Sequence, residues 1–105
     1  MQHVGVVAVV TMPKYTGLVR EFLTFVIKNP HLYLANVRRP GLLRVDAWDF
    51  IEWATSRSDP VPSSAMISFG LVADKILREF AAEGLIRGFT AVGRKPRRFY
   101  IELRA

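Results

Sequence analysis

The sequence predicts an α+β domain: three helices, a C-terminal β-hairpin and a further strand at the N-terminus. Three observations carry this. Apolar residues recur at three- and four-residue spacing in three separate stretches, β-branched runs occupy both ends of the chain, and the last two such runs are parted by a glycine- and proline-bearing turn at 93–97. With 105 residues, half of them apolar, the chain is long enough to bury one core and too short for two. One domain over 1–105 is expected, divided into an N-terminal strand at 1–12, helix one and its connection at 13–45, a two-helix region at 46–84 and the hairpin at 85–105.

The run at 4–11 is β-branched and glycine-interrupted, and Pro13 ends it. From Thr16 to Lys28, Leu18, Phe22, Phe25 and Val26 repeat at helical spacing, Lys28 occupies the last turn, and Asn29-Pro30 is the stop. Residues 31–37 are open between a short strand and an irregular connection, and 38–41 (Arg-Arg-Pro-Gly) make a turn. Leu42 to Val45 can pair as a small strand. Asp46, with Asp49 three residues on, is the expected N-cap and first-turn acid of helix two, Ala47 to Ser56, whose inward face is Ala47, Phe50, Ile51 and Ala54. A serine- and proline-rich breaker, SRSDPVPSSAM, follows. Ser68 is the expected N-cap of helix three, with Phe69, Val72, Ile76, Leu77 and Phe80 inward, Leu71, Asp74, Lys75, Arg78 and Ala82 outward, and Gly84 as the left-handed stop. LIRGFTAV and RFYIEL then form the hairpin.

Composition narrows the function. The absence of cysteine removes disulfides, thiolate nucleophiles and thiolate metal sites, and points to a reducing cytoplasm. The apolar N-terminal run of nine residues falls far below the roughly 20 that span a bilayer, so no membrane partner is expected. No serine–histidine–acid arrangement, phosphate-binding glycine loop or histidine-rich metal spacing is present, so neither an enzyme nor a cofactor is expected. Asp46, Asp49 and Glu52 share one short helix, where compensation of the helix dipole accounts for two of them better than a metal does. His3 and His31 are isolated. Few amides and many arginines suit a thermophilic, archaeal source.

The net charge is +6, and its excess sits late: residues 63–105 carry eight cations against four acids. Four of those cations, Arg94, Lys95, Arg97 and Arg98, crowd the hairpin turn in GRKPRRFYIEL. Like charges repel on a tight turn unless an anion lies against it, although solvated charge also protects a sheet edge from aggregation.

The stretch ISFGLVADKILREFAAEGLIRG, running on to GRKPRRFYIEL, resembles the last helix and wing of archaeal and bacterial winged-helix (helix-turn-helix) transcription regulators, the PadR-type and MarR-type families among them. The resemblance covers about residues 46–103. It implies binding of double-stranded DNA, with helix three in the major groove and the basic wing on the backbone or minor groove. On that reading Lys75 and Arg78 reach base edges, Ser68 at the helix start holds a phosphate, and Arg94, Lys95, Arg97 and Arg98 neutralise phosphates. Two features depart from the pattern: the eleven residues at 57–67 exceed a strict helix–turn–helix connection, and Asp74 and Glu79 sit near the reading face.

Two other functions keep the same fold. A protein-interaction module would use Trp48, opposite the apolar stripe of helix two, or Trp53 on its border. An RNA- or ribosome-binding winged helix is similar in body, but that family carries a lysine-rich tail where this N-terminus is apolar. The valine-rich N-terminus and helix one also offer apolar surface for a homodimer, which would read two half-sites about one helical turn apart.

Overall fold

The computed structural model describes residues 15–57, 61–62, 64–94 and 96–104. The run expected as an N-terminal strand lies outside the described residues. Within them the architecture is α+β, with three α-helices packed on one another, two of them also against a three-stranded antiparallel sheet.

Helix α1 (Thr16–Lys28) has the predicted bounds. It buries Val19, Phe22, Leu23 and Val26, while Leu18 and Phe25 flank that stripe half-buried, so the inward face is turned slightly from the one the spacing suggested. It stops at Asn29, whose backbone N–H donates to the Phe25 and Val26 carbonyls and whose side-chain amide donates to Phe25 as well. Pro30 cannot extend the ladder. The open stretch that follows is a 3₁₀ turn (Pro30–Leu32) and then an irregular arm. That arm touches strand β1 (Leu42–Asp46) through one Leu34–Leu43 bridge, with Arg44 N–H donating to Tyr33 O at 2.8 Å and Ala35 N–H to Leu42 O at 3.0 Å.

Asp46 ends β1 and caps helix α2 (Ala47–Ser56). Its Oδ1 accepts from the N–H groups of Trp48 (2.9 Å) and Asp49 (3.2 Å), and Asp49 Oδ2 accepts in return from Asp46 N–H (2.9 Å). Three backbone donors that would otherwise lack partners are thereby satisfied by two aspartates, a reciprocal capping box. Trp53, expected at the border of the helix face, is buried against Phe22, Phe25 and Phe50, with ring centroids 5.4–6.4 Å away. Trp48 stays 58% exposed.

Helix α3 spans Ala65–Ala82 and so begins a turn earlier than Ser68, the expected cap. The reason is packing: Ala65 lies four residues before Phe69 on the same face and is buried with it, which extends the apolar stripe N-terminally. The connection from α2 therefore occupies 57–64 and is shorter than the eleven residues expected. Phe69, Val72, Ala73, Ile76, Leu77 and Phe80 face the core. Gly84 has φ of 78°, and the next N–H, from Leu85, reaches back to Phe80 O at 2.9 Å, the left-handed closure that the glycine predicted.

The hairpin consists of β2 (Gly88–Val92) and β3 (Arg98–Glu102). Sheet order is β1-β3-β2, so β3 is central: Asp46 and Val92 both stand opposite Arg98, and Leu43 and Phe89 both stand opposite Ile101. Successive side chains of a strand point to opposite faces. Phe99 and Ile101 accordingly meet the helices and are fully buried, while Arg98, Tyr100 and Glu102 belong to the other, polar face. At the centre Phe22, Phe50, Phe69 and Phe99 join all three helices to β3, with successive centroids 5.3–5.9 Å apart.

Candidate nucleic-acid interface

Once the core has taken one side of α3, its remaining side chains form a solvated face. Leu71, Lys75 and Arg78 are exposed there, Gly70, Asp74 and Glu79 are half-buried, and helical spacing puts them within two or three turns of one another. The β2–β3 turn folds back toward this face. Its first residue, Gly93, has φ of 79°, and a Cβ there would come within 3.2 Å of Pro96 O, so glycine suits both the backbone and the space. At the other end of the turn the aliphatic stem of Arg97 lies beside Gly70, where a missing side chain leaves room for it.

Asp74 joins the two elements. Its Oδ1 accepts from Arg78 Nε at 2.8 Å along the helix, and its Oδ2 from an Arg97 terminal nitrogen at 3.2 Å across the gap. The Arg97 guanidinium also stands 5.8 Å from the centroid of Phe99. Gly70, Leu71, Asp74, Lys75, Arg78, Glu79 and Arg97 together line an open groove of about 700 Å³. Glu79 is itself paired with Arg20 of α1 at 2.5 Å.

The predicted residues divide unequally. Lys75, Arg78 and Arg97 come together in the groove, and Arg94 is exposed on the turn. Lys95 lies outside the described residues. Ser68 is a correction as a cap: it is half-buried inside α3, the fourth residue of a helix that starts at Ala65, so it does not cap that end. Arg98 stands apart from these, because the strand pleat sends it to the sheet face away from α3. Its Nε is buried without a hydrogen-bond partner. Arg97 and Arg98, adjacent in sequence, therefore do not share one surface.

Sequence reasoning did not single out Gly70 or Ile67. A glycine in mid-helix was the available cue for the first, since it often marks a close approach. Ile67, two residues before Phe69, falls off the buried stripe and was legible on the same periodicity that placed Leu71 outward.

The formal charge of the groove is lower than the turn suggested. Three cations face two carboxylates, one of which is satisfied by Arg20. Asp74 keeps two guanidiniums close together that would otherwise repel, and with only 21% of its side chain exposed it is better placed to do so than a surface ion pair.

A second groove of about 610 Å³ lies between α1 and α2. Phe25 and Trp53 line it, and Arg57 spans it, its guanidinium 4.5 Å from the Trp53 ring centroid and hydrogen-bonded to Glu21 at 2.8 Å. Beside β1, burial pushes the Tyr33 hydroxyl above its ordinary range, with the Asp49 and Glu52 charges adding to the effect. Among the described residues no cluster of three or more histidine, aspartate or glutamate side chains could hold a metal, and no helix is long and apolar enough to cross a membrane.

No protein-family model, curated protein or solved structure matches the chain.

Proposed function

We propose that the chain is a sequence-specific double-stranded DNA-binding protein of winged-helix type, acting as a transcription regulator. The observation that carries this reading is the groove in which Arg97 of the hairpin turn meets Lys75 and Arg78 of α3. A helix face and a basic turn on one surface suit a duplex, the helix entering the major groove and the turn following the adjacent backbone. The element order α1-β1-α2-α3-β2-β3 and the sheet order β1-β3-β2 support the winged-helix assignment.

Within this reading Lys75 and Arg78 approach base edges, Arg78 being suited to the paired acceptors of guanine once Asp74 yields one of its two partners. Arg94 and Arg97 neutralise phosphates and release counterions. Arg98, on the far sheet face, has no part in the contact.

The test is a titration of labelled duplex DNA across a salt series. Arg94→Gln and Arg97→Gln should each weaken binding to all sequences and flatten the dependence of log K on log salt by about 0.9 per lost phosphate contact. Arg98→Gln should leave the slope unchanged, and Arg78→Ala should relax preference at one base pair by about 1–3 kcal/mol. Binding indifferent to salt, or equal in all four variants and the wild type, would overturn the proposal. One observation favours a second reading, a protein-interaction module: Trp48 stays 58% exposed on the outer side of α2. A salt-insensitive protein complex lost in Trp48→Ala would support that alternative.

A further inference from the structure

Two large apolar side chains stand on the solvated side of α3, where the core has no use for them. Ile67 is 75% exposed and Leu71 69%, whereas the inward face is completely filled by Ala65, Phe69, Val72, Ala73, Ile76, Leu77 and Phe80. A single exposed aliphatic residue needs no explanation. Here there are two, four residues apart and therefore stacked one turn above the other, and Arg78 continues the same line seven residues beyond Leu71. Leu71 also lines the groove that contains Lys75, Arg78 and Arg97, and Ile67 lies one helical turn before it, so the apolar pair adjoins the cationic groove.

Their place along the helix matters. When a helix lies in the major groove, the residues of its N-terminal part meet base edges. In α3, which starts at Ala65, Ile67 is the third residue and Leu71 the seventh. The apolar feature a base pair offers in that groove is the C5-methyl group of thymine. Isoleucine suits such a contact because its branched Cβ restricts χ1, so little rotamer freedom is lost when it packs. The cations that flank the pair favour a polyanionic occupant over a protein surface.

Resting on the DNA-binding reading, we propose that Ile67 and Leu71 are specificity-determining residues that read thymine through its C5-methyl group. Four residues of helix advance about 6 Å, close to two base steps of about 3.4 Å, so the two thymines lie about two steps apart. Arg78 then reads a guanine farther along the same site.

The experiment begins with selection of bound duplexes from a random pool by the wild-type chain. Each thymine of the selected site is next replaced in turn by deoxyuridine, which removes the methyl group and leaves every hydrogen-bonding atom in place. Burying one methyl-sized group is worth about 0.8 kcal/mol, so uracil should weaken binding about four-fold at each of two positions. In Ile67→Ala the loss should vanish at one of these positions and in Leu71→Ala at the other, with the salt slope unchanged in both. Because both side chains are exposed, each variant should melt close to the wild type, which separates lost contact from lost fold.

If the wild type binds duplexes with strong salt dependence yet uracil changes nothing, or if the uracil losses persist in both alanine variants, the methyl readout is refuted and the DNA-binding reading stands. If no duplex binds in a salt-dependent manner, both fail. If the alanine variants abolish self-association or a protein complex and leave uracil sensitivity intact, the apolar pair is a protein-docking surface and the inference is overturned.

Discussion

Gly70 offers a sharp test of how the hairpin turn sits on α3. It lies inside an 18-residue helix and is not among the positive-φ glycines, so alanine can adopt its backbone without strain. A Cβ added there would stand 3.6 Å from Arg97 Cβ and 3.7 Å from Arg97 Cδ, ordinary contact distances that require no movement. Replacing glycine by alanine in a helix interior is worth about 0.5–1 kcal/mol, because glycine loses more backbone freedom on folding. Contact with the Arg97 stem adds a fraction of the roughly 0.8 kcal/mol of a fully buried methylene. Gly70→Ala should therefore stabilise the protein by about 1 kcal/mol. In a domain of this size that is a rise in Tm of roughly 4–8 °C, readable by circular dichroism or calorimetry. Gly70→Leu should do the opposite, since the longer side chain needs the space that Arg97 fills. A fall in Tm for the alanine variant would mean that turn and helix press closer than described, and equal Tm values for alanine and leucine would mean that Arg97 does not lie there.

Three other perturbations probe the frame that holds this surface. Phe69 is fully buried and stacks on Phe50 at 5.3 Å, so Phe69→Ala should lose about 3–5 kcal/mol in urea denaturation; a loss under about 1 kcal/mol would contradict the aromatic core. Asp46→Ala should lose about 1 kcal/mol by removing the α2 cap, and Asp46→Asn should retain most of it because the amide oxygen can still accept. At Asp49, burial raises the carboxyl pKa above 3.8, opposed by the Asp46 backbone hydrogen bond and reinforced by the Asp46 and Glu52 charges. The folded state then holds that proton more tightly than the unfolded chain, so this contribution to stability is complete below about pH 3.8 and is lost as pH rises through the raised folded value. Asp49→Asn removes the titration, and its stability relative to wild type should increase from acid to neutral pH; a trend of opposite sign in pH-dependent melting would refute the assignment.

Much of the framework is written in short-range pattern. Helices α1 and α2 begin and end where spacing, the Asp46–Asp49 pair and Asn29-Pro30 place them, because caps, stops and stripes depend on residues three or four apart. Gly84 announces the end of α3, and the paired β-prone runs announce the hairpin, for the same local reasons. The candidate surface is only half legible. Periodicity puts Lys75 and Arg78 outside, yet four cations in one turn look equivalent in a linear string, and the pleat separates Arg97 from Arg98.

What remained for the folded chain to settle is every relation that depends on a distant partner. Ala65 joins the stripe of α3, and Ser68 loses its expected place at the helix start, because a packed core rewards one more buried position over a good capping residue. Trp53 is buried because Phe22 and Phe25 arrive from α1, and β1 takes β3 as its neighbour because a central strand can satisfy ladders on both of its edges. Asp74, a lone acid when read in line, becomes the bond between helix and turn only when the chain, 23 positions later, returns Arg97 to its second oxygen. Local signals are set by neighbours along the backbone, whereas charge pairing and burial are set by neighbours in space, and closing the chain on itself is what supplies them.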